Sequence, residues 1–381
     1  MTSPAQIKAG ISASITGQFA TQGRQALAGL TAWAEYVNAQ GGLSLDGQVR
    51  QLTLVHYDDG SLAEGAQQNT ERLITQDGVD LLFGPYSAGL TTAAAEVAES
   101  HGRLMWNHGG AGDALYARGY QRIVSILTSA DQYLVGAPLL ARQCNPDASK
   151  LVILRIDTGA FARVVARGVE SAAHELGFTT ALDLRYRPSQ TRFAEIARHV
   201  AELEADLVVG IGRIRHDIAT ARALANLTNR DRIGLAVVVA TPIAEFANDL
   251  GQLADGFIGP SQWEPATSVA QPDVGPNSGE TLQILALAAA VAGLPVDYPM
   301  AQAFASGLIA ARCAQEAGSL GDDALRDAAG SLDCTTFYGR FRIDEAGRQV
   351  GHSVALVQRQ EGRKVVVWPA EQAQSSVRYP F

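Results

Sequence analysis

The stretch that decides the fold is Leu81-Leu82-Phe83-Gly84-Pro85-Tyr86-Ser87-Ala88-Gly89. Three apolar residues that suit a buried strand stop at Gly84-Pro85, and an alanine-rich helix is predicted over Leu90–Glu99. A strand that passes through a short glycine-containing loop into a helix is a βα unit of a parallel sheet. We therefore expect this loop at the carboxyl end of a strand, the edge where open α/β sheets bind ligands.

A second stretch, Arg103–Asp113, repeats the pattern, with Met105-Trp106-Asn107 followed by His108-Gly109-Gly110-Ala111-Gly112. Helix N-termini offer unpaired backbone N–H groups and positive potential, so the two loops predict a cradle for a small anion. Tyr86 and Ser87 begin the first helix, where Ser87 is also a good N-cap. His108 either meets a ligand carboxylate or packs beside Trp106.

Strand and helix patterns alternate in two similar series, over residues 7–126 and 151–259. A helical stretch, Thr281–Gly318, follows, and the end is β-rich, with strands predicted over Phe337–Ile343, Ser353–Gln358 and Lys364–Trp368. Glu361-Gly362 suits a hairpin turn between the last two strands. This alternation predicts an α/β protein with two doubly wound parallel-sheet lobes.

Composition agrees with two lobes, because 381 residues exceed the length at which one hydrophobic core usually stops growing. The net charge is −9 without a basic patch, so we expect no nucleic-acid partner. The most apolar run, Ile284–Leu294, is too short to span a bilayer. Cys144, Cys313 and Cys334 lack metal-ligand spacing; both a Cys313–Cys334 disulfide and buried thiols remain open.

Catalytic and cofactor motifs are incomplete. Gly210-Ile211-Gly212 follows a strand, but Arg215 takes the third glycine position of a dinucleotide-binding loop. His108-Gly109-Gly110 is similar to an esterase oxyanion loop, yet no GxSxG elbow accompanies it. The histidines never fall at metal-ligand spacing, so we expect no metal site. Because the catalytic and cofactor motifs are incomplete, we also expect no enzyme activity and no cofactor.

Two residues of the second series lie where its strands are predicted to end. Phe161 follows Asp157-Thr158-Gly159-Ala160, and it either covers an apolar ligand or packs at the helix start. Arg213 follows Leu207–Gly212, where its guanidinium either binds a ligand carboxylate or is simply solvated. Arg215 is a weaker candidate of the same kind.

Short motifs occur in one order along nearly the whole chain. Those of the first third are Ile15-Thr16-Gly17-Gln18, Gln22-Gly23, Asn38-Ala39-Gln40-Gly41-Gly42-Leu43, Tyr57-Asp58-Asp59, Gly84-Pro85-Tyr86-Ser87 and Arg118-Gly119-Tyr120-Gln121-Arg122. Those of the tail are Thr335–Asp344 and Gly347–His352. The ordered set resembles the leucine/isoleucine/valine-binding proteins, the type I solute receptors of ABC importers, and it is specific for the family but not for the ligand.

The resemblance implies the type I periplasmic binding protein fold, with lobes joined by a three-crossover hinge. The crossovers are placed near residues 127–132, 259–263 and 335–339. Lobe 1 then holds residues 5–127 and 262–335, and lobe 2 holds residues 128–261 and 336–381. A small molecule would bind between the lobes, and the monomer would dock on the membrane permease of an ABC importer. No signal-peptide pattern precedes Ile7, so Met1–Pro4 is interpreted as a foreign start on a mature, exported, periplasmic protein.

Several ligand positions depart from the family's pattern. Its amino-acid binders hold the α-carboxylate with a hydroxyl in the first loop and a Thr in the second, and these positions correspond here to Ala88 and Ala111. Their backbone N–H groups remain available to an anion. The acid that pairs with the ligand's amino group would lie near residues 239–241, which contain none; Glu245 is the nearest. A buried ammonium without a carboxylate is costly.

Gln22 and Arg213 also stand where aromatic residues are usual, and Phe161 lacks the family's phenol. These departures favour an aromatic or branched carboxylate without an α-amino group over leucine. The expected ligand contacts are Gln22, Tyr86, Ser87, Ala88, His108, Gly109, Gly110, Ala111, Phe161 and Arg213. A cytoplasmic small-molecule sensor on the same fold is the alternative, and an enzyme on a doubly wound fold is the third possibility.

Overall fold

The computed structural model describes residues 6–381, so the interpretation of Met1–Pro4 lies outside the described residues. The strands are β1 (Ile7–Ala13), β2 (Leu43–Leu45), β3 (Gln48–Arg50), β4 (Leu52–Asp58), β5 (Leu81–Phe83), β6 (Met105–Asn107), β7 (Ile123–Ser125), β8 (Lys150–Ile156), β9 (Thr179–Tyr186), β10 (Leu207–Ile211), β11 (Leu235–Val238), β12 (Ile258–Ser261), β13 (Cys334–Thr336), β14 (Gly339–Phe341), β15 (Ala355–Gln360) and β16 (Arg363–Trp368). The α-helices are α1 (Ala20–Ala39), α2 (Ala63–Thr75), α3 (Ala88–Ser100), α4 (Ala114–Ala117), α5 (Gly136–Cys144), α6 (Ala160–Glu175), α7 (Phe193–Glu202), α8 (Ile214–Ala225), α9 (Ala244–Leu250), α10 (Ser278–Ala292), α11 (Tyr298–Ala317) and α12 (Asp322–Ser331).

The first of two compact units comprises the described residues up to Ser129 and Thr267–Ser353. Its main sheet has the order β4-β1-β5-β6-β7 and is parallel throughout. Six of the seven residues of β1 are buried, which is typical of a parallel strand whose sheet is covered on both faces. The parallel arrangement places the ends of β5 and β6 side by side at one edge.

Close packing of α1 against α11 covers one face of this sheet. Trp33 of α1 is fully buried and meets the Phe83 ring edge-on, with 5.6 Å between the ring centroids. A Cβ at Gly307 of α11 would lie only 2.2 Å from the Trp33 indole. The absence of a side chain at this position therefore lets the two helices approach.

The second unit comprises Ala130–Ala266 and Val354–Phe381. Its sheet has the order β16-β15-β12-β11-β10-β8-β9, in which β8 to β12 are parallel and β15 and β16 are antiparallel additions. The hairpin turn predicted at Glu361-Gly362 is present, with φ of 53° and 74°. A positive φ at both central residues matches the right-handed twist of the flanking strands.

Two local predictions need correction. The predicted helical stretch, Thr281–Gly318, consists of two helices, because Gly293 adopts a left-handed φ of 65° and ends α10. Asp297 then starts α11 by accepting a hydrogen bond from the Tyr298 N–H. The strand predicted over residues 337–343 is confined to Gly339–Phe341, which pairs with Cys334–Thr336.

The chain passes between the units after Ser129, Ala266 and Ser353. The third crossing was expected near residues 335–339, so residues 336–353 belong to the first unit instead of lobe 2. Gln349 explains this, because its side chain donates to the Ile126 carbonyl at 3.1 Å. The Thr128 hydroxyl likewise bonds the His352 imidazole at 2.7 Å. Residues 262–266 lie in the second unit, where Glu264 pairs with Lys364 at 2.7 Å.

The three cysteines are free thiols. Burial raises the pKa of Cys144 and Cys313 and raises the pKa of Cys334 to about 12, so all three are protonated at neutral pH. Among the helices of residues 6–381, none has the length and apolar character that a membrane crossing requires.

The α1–α11 contact can be tested with two glycine-to-alanine changes. Gly307→Ala should lower the free energy of unfolding by about 2 kcal/mol or more, because the new methyl group would overlap the Trp33 indole. Gly330→Ala, on the exposed side of α12, should be neutral or stabilise by up to about 1 kcal/mol through helix propensity. Urea denaturation followed by tryptophan fluorescence measures both, and equal effects would contradict the tight helix contact.

Candidate functional site

The loop after β5 turns directly into α3 at Ser87. Ser87 has a φ of 86°, a conformation that residues other than glycine rarely adopt, and its N–H donates to the Gly109 carbonyl at 3.1 Å. Its hydroxyl accepts the Leu90 N–H at 3.4 Å, as an N-cap does. The capping role weighed from the sequence is therefore present, and the strained backbone aims the first turn of α3 at the loop after β6.

Asn107, the last residue of β6, closes the neighbouring loop with its side chain. Its Oδ1 accepts the N–H groups of Gly109 at 3.2 Å and Gly110 at 2.8 Å. Its Nδ2 donates to the Gly110 carbonyl and to the Ser125 hydroxyl, both at 2.8 Å. Asn107 is fully buried, so these four bonds fix the loop against β7.

The glycines of this loop allow it to approach the first loop. A Cβ at Gly109 would lie 2.6 Å from the Tyr86 Cα, and a Cβ at Gly110 would lie 2.4 Å from the Thr91 side chain. At Gly112 a Cβ would be 3.0 Å from the Ala88 Cβ. The two loops are therefore in direct backbone contact within the first unit.

This packing decides which N–H groups of the two loops already have an acceptor within the chain. The sequence assigned Gly109 and Gly110 as ligand contacts, but the Asn107 side chain already accepts both N–H groups. Within residues 6–381, no acceptor is placed for the N–H groups of Ala88 and Gly89 or for those of Ala111 and Gly112. The available donors therefore lie at the two places where the loops meet.

His108 does not carry the role of a ligand-binding cation. Its side chain is fully buried, and burial lowers its pKa to about 4, so the imidazole is neutral at physiological pH. The contact of His108 with a ligand carboxylate stays a prediction, and the imidazole would make that contact in its neutral form.

Aromatic side chains from distant parts of the chain surround Tyr86. Its hydroxyl lies 2.5 Å from the hydroxyl of Tyr298, the first residue of α11. The Phe19 ring meets the Tyr86 ring edge-on at 6.0 Å, and Gln22 is buried in the first turn of α1. Sequence reasoning missed Phe19 and Tyr298, because Tyr298 is 212 residues away from Tyr86 and no local pattern links them.

In the second unit, Phe161 is half-buried in the first turn of α6. Its ring meets the Tyr133 ring edge-on, with 5.7 Å between centroids. Burial raises the pKa of Tyr133 to about 12, although a hydrogen bond with Gln262 opposes the shift. The phenol of Tyr133 and the amide of Gln262 therefore add polar groups beside Phe161, where the sequence predicted apolar cover only.

Arg213 is exposed at the N-cap position of α8, where its carbonyl accepts the N–H groups of His216 and Asp217. No carboxylate of the described chain forms an ion pair with its guanidinium. Arg215 is also exposed, and its guanidinium contacts the Pro188 carbonyl at 3.4 Å.

The side chain of Asp217 reaches residues 239–241, the stretch that contains no acid of its own. Asp217 of α8 accepts the Ala240 N–H at 3.1 Å and is only 1% exposed. Burial raises the pKa of Asp217 well above its usual range, so the neutral acid is favoured. Glu245 lies half-buried in the first turn of α9 and has interactions of its own.

The described residues were compared with the arrangements that metal ions require. Within residues 6–381, no group of three or more His, Cys, Asp or Glu side chains is placed to hold a metal ion. The site groups described above are backbone N–H groups, aromatic rings and guanidinium groups. This set suits non-covalent recognition of an anion with an apolar body.

Comparisons with known proteins identify the family and the fold. A family model described as a periplasmic binding protein matches residues 6–364. Leu/Ile/Val-binding protein homolog 8 of Brucella abortus is 28% identical over 214 residues, which cover 54% of this chain and 51% of that relative. The chain therefore spans about half the length of the curated relatives it matches.

Solved structures resemble the chain over nearly its whole length. One from Silicibacter pomeroyi, a putative branched-chain amino acid ABC transporter, is 16% identical with a TM-score of 0.83 and 99% coverage of both chains. LivJ of Streptococcus pneumoniae with isoleucine is 18% identical, with a TM-score of 0.77 and coverage of 99% and 100%. A solute-binding protein of R. palustris with benzoate is 18% identical, with a TM-score of 0.74 and coverage of 95% and 96%. At these identities the likeness concerns the fold.

The clamp formed by Asn107 predicts a large loss of stability on truncation. Asn107→Ala should lower the free energy of unfolding by about 3 kcal/mol or more, because it leaves two N–H groups and a carbonyl of a buried loop without partners. Asn69→Ala, which removes one bond of 3.3 Å to Ser12, should cost less than about 1.5 kcal/mol. Thermal and urea unfolding compare the two, and similar costs would argue against the clamp.

Buried Asp217 predicts a pH dependence of stability. Its pKa is raised in the folded chain, so the folded state holds the proton more tightly than the unfolded state does. The free energy of unfolding therefore falls as the pH rises above the pKa of an unfolded aspartic acid, about 4. Asp217→Asn keeps an oxygen for the Ala240 N–H but cannot ionise. The stability of the native chain relative to Asp217→Asn should therefore fall between pH 4.5 and 8. Urea midpoints of both proteins give this difference, and parallel pH profiles would refute the assignment.

Proposed function

The chain belongs to the periplasmic binding proteins, and from that premise we propose that it is the exported solute-binding protein of an ABC importer. It captures a small carboxylate-bearing ligand and delivers it to a membrane permease. It acts by binding and closure and performs no covalent chemistry. We further propose that it works as a monomer in the periplasm.

The observation that carries the proposal is the meeting of two loops that present N–H groups at the carboxyl ends of β5 and β6. A Cβ at Gly112 would lie 3.0 Å from the Ala88 Cβ, so the segment that carries the N–H groups of Ala111 and Gly112 packs against the first residue of α3. The first pair also stands at the N-terminus of the 13-residue helix α3, whose dipole favours a negative charge. A carboxylate bound there receives charge-assisted hydrogen bonds without any basic side chain.

The ligand that we propose is an aromatic or branched carboxylate without an α-amino group. The stretch 239–241 has no acid of its own, and Asp217, which reaches it, favours the neutral form. A buried ammonium would therefore lack an ionised partner there. Proteins of this fold bound to isoleucine and to benzoate are both known, so the fold is compatible with either class.

A matched ligand screen tests the proposed class. Thermal shifts are measured with L-leucine, L-phenylalanine and their deaminated acids 4-methylpentanoate and 3-phenylpropanoate, with benzoate as a fifth probe. A probe at 100 times its Kd stabilises the folded chain by about 2.7 kcal/mol. Shifts with the acids and not with the amino acids are expected. Shifts with the amino acids alone would contradict the proposed class and make Glu245 the next acid to test.

A proline substitution that removes the Ala88 N–H group tests the proposed carboxylate position. Ala88→Pro removes an N–H group at the first residue of α3, where proline is compatible with a helix, and should weaken binding of the best probe by about 10- to 100-fold. Ala63→Pro makes the same change at the first residue of α2 and should leave the Kd unchanged. Equal affinities of the two variants in calorimetric titrations would place the carboxylate elsewhere.

A further inference from the structure

Two of the three chain crossings begin at residues that touch each other within the first unit. Thr128 and His352 stand just before the crossings that follow Ser129 and Ser353, and the Thr128 hydroxyl lies 2.7 Å from the His352 Nδ1. The same hydroxyl donates its one proton to the His352 carbonyl at 3.1 Å, so the Nδ1–H is the donor of the shorter bond. Both side chains are buried. This contact, the Thr128–His352 clasp, ties the first-unit ends of the two crossings to one another.

The side chain of Gln349 strengthens the clasp from both sides. Its Nε2 donates to the Ile126 carbonyl at 3.1 Å, two residues before Thr128. Its Oε1 accepts the N–H groups of Gly351 at 2.8 Å and of His352 at 3.3 Å. One buried amide therefore holds the backbone that leads into the first crossing and the backbone that leads into the third.

Tyr338 connects the clasp to helix α11. Its ring stacks on the His352 imidazole, with 4.6 Å between the centroids and 12° between the planes. The next residue, Gly339, approaches the same imidazole so closely that a Cβ would lie 2.8 Å from the His352 Cδ2. On its other side, the Tyr338 hydroxyl donates to the Oε1 of the fully buried Gln302 at 3.4 Å.

Helix α11 continues this series of contacts to the loop after β5. Gln302 lies four residues after Tyr298, so both side chains stand on one face of the helix. The Tyr298 hydroxyl lies 2.5 Å from the Tyr86 hydroxyl, two residues before Ala88, whose N–H group is a proposed ligand donor. A continuous series of contacts within the first unit therefore joins the candidate ligand loop to the clasp.

The helix in the middle of this series is set in the core. Every residue of α11 from Pro299 to Ala311 is buried. Protein interiors are packed as densely as organic crystals, so a displacement in them is passed to the neighbours and strain is transmitted. A shift at Tyr298 is therefore felt at Gln302, and through Tyr338 at the clasp.

We propose that Tyr338 and His352 are positioning residues, which couple the loop at Tyr86 to the two crossings. A ligand that rests on this loop stabilises the clasp, and the clasp stabilises the loop, because a coupling free energy between two sites acts equally in both directions. The inference rests on the proposed function, in which the ligand carboxylate binds at the first residue of α3. Tyr338 and His352 act on its affinity through other residues and not by touching it.

Hydrogen exchange followed by NMR measures the coupling without a ligand. The reporters are the amides of Gly351 and His352, which are bonded in the clasp. Tyr298→Phe removes the hydroxyl that bonds the ligand loop and should speed exchange at both amides by about threefold or more, the scale of one hydrogen bond. Tyr57→Phe removes a hydrogen bond of 3.1 Å elsewhere in the same unit and should leave both amides unchanged. Amides of β1 are the internal reference, since equal rates there exclude a general loss of stability.

A double-mutant cycle measures the same coupling in ligand affinity. The probe is whichever of the five compounds of the ligand screen gives the largest shift in Tm. Tyr298→Phe and Thr128→Val remove hydroxyls at opposite ends of the series, and each should raise the Kd roughly threefold to tenfold. The combined rise should be at least about threefold smaller than the product of the two single rises, as for residues that act through one network. Thr128→Ser keeps the hydroxyl and should keep the native Kd.

The outcomes separate this inference from the proposed function. Unchanged exchange at Gly351 and His352 in Tyr298→Phe would overturn the coupling, and so would a combined rise in Kd equal to the product of the single rises. Neither result affects the proposed ligand class, which the ligand screen tests by itself. If none of the five compounds binds, the proposed ligand class fails, and hydrogen exchange alone decides the coupling.

Discussion

The side chain of Asn107 is the constraint on which the candidate site depends. Its Oδ1 accepts hydrogen bonds from two N–H groups of the loop. Its Nδ2 donates to a carbonyl of the same loop and to the Ser125 hydroxyl on the next strand. The loop is thereby held where glycine backbone touches the Tyr86 and Ala88 backbone. The clamp has a chemical consequence, because the Asn107 Oδ1 accepts the N–H groups of Gly109 and Gly110, and those of Ala111 and Gly112 are the ones that we propose for an anion.

Electrostatics divides the candidate groups by burial. His108 and Asp217 lie in the interior, and their neutral forms are favoured because neither has a charged partner close enough to repay desolvation. Arg213 and Arg215 are exposed to solvent, where charge costs little. The candidate groups that carry charge in the second unit therefore lie at its surface.

Sequence reasoning was accurate where the physics is local. The βα alternation, the hairpin at Glu361-Gly362 and the loop positions of Ser87 and Arg213 follow from residue patterns of a few positions, and the type I periplasmic binding protein fold is confirmed. Sequence reasoning failed where the residues that contact each other lie far apart along the chain. The Tyr86–Tyr298 contact and the bond from Asp217 to Ala240 join segments that no short pattern connects. The third chain crossing was misplaced for the same reason, because Gln349 and His352 bond residues more than 220 positions away.

The sequence by itself determined the family, through an ordered set of short motifs, and the alternation of strands and helices, because hydrophobic periodicity and glycine-rich turns are encoded locally. Only the tertiary structure decided which groups at those edges are available. Whether an N–H group is free depends on a side chain that reaches it, as Asn107 does, and whether an imidazole or carboxyl is charged depends on what buries it. These properties arise from packing between segments, so a list of residue types contains them only implicitly.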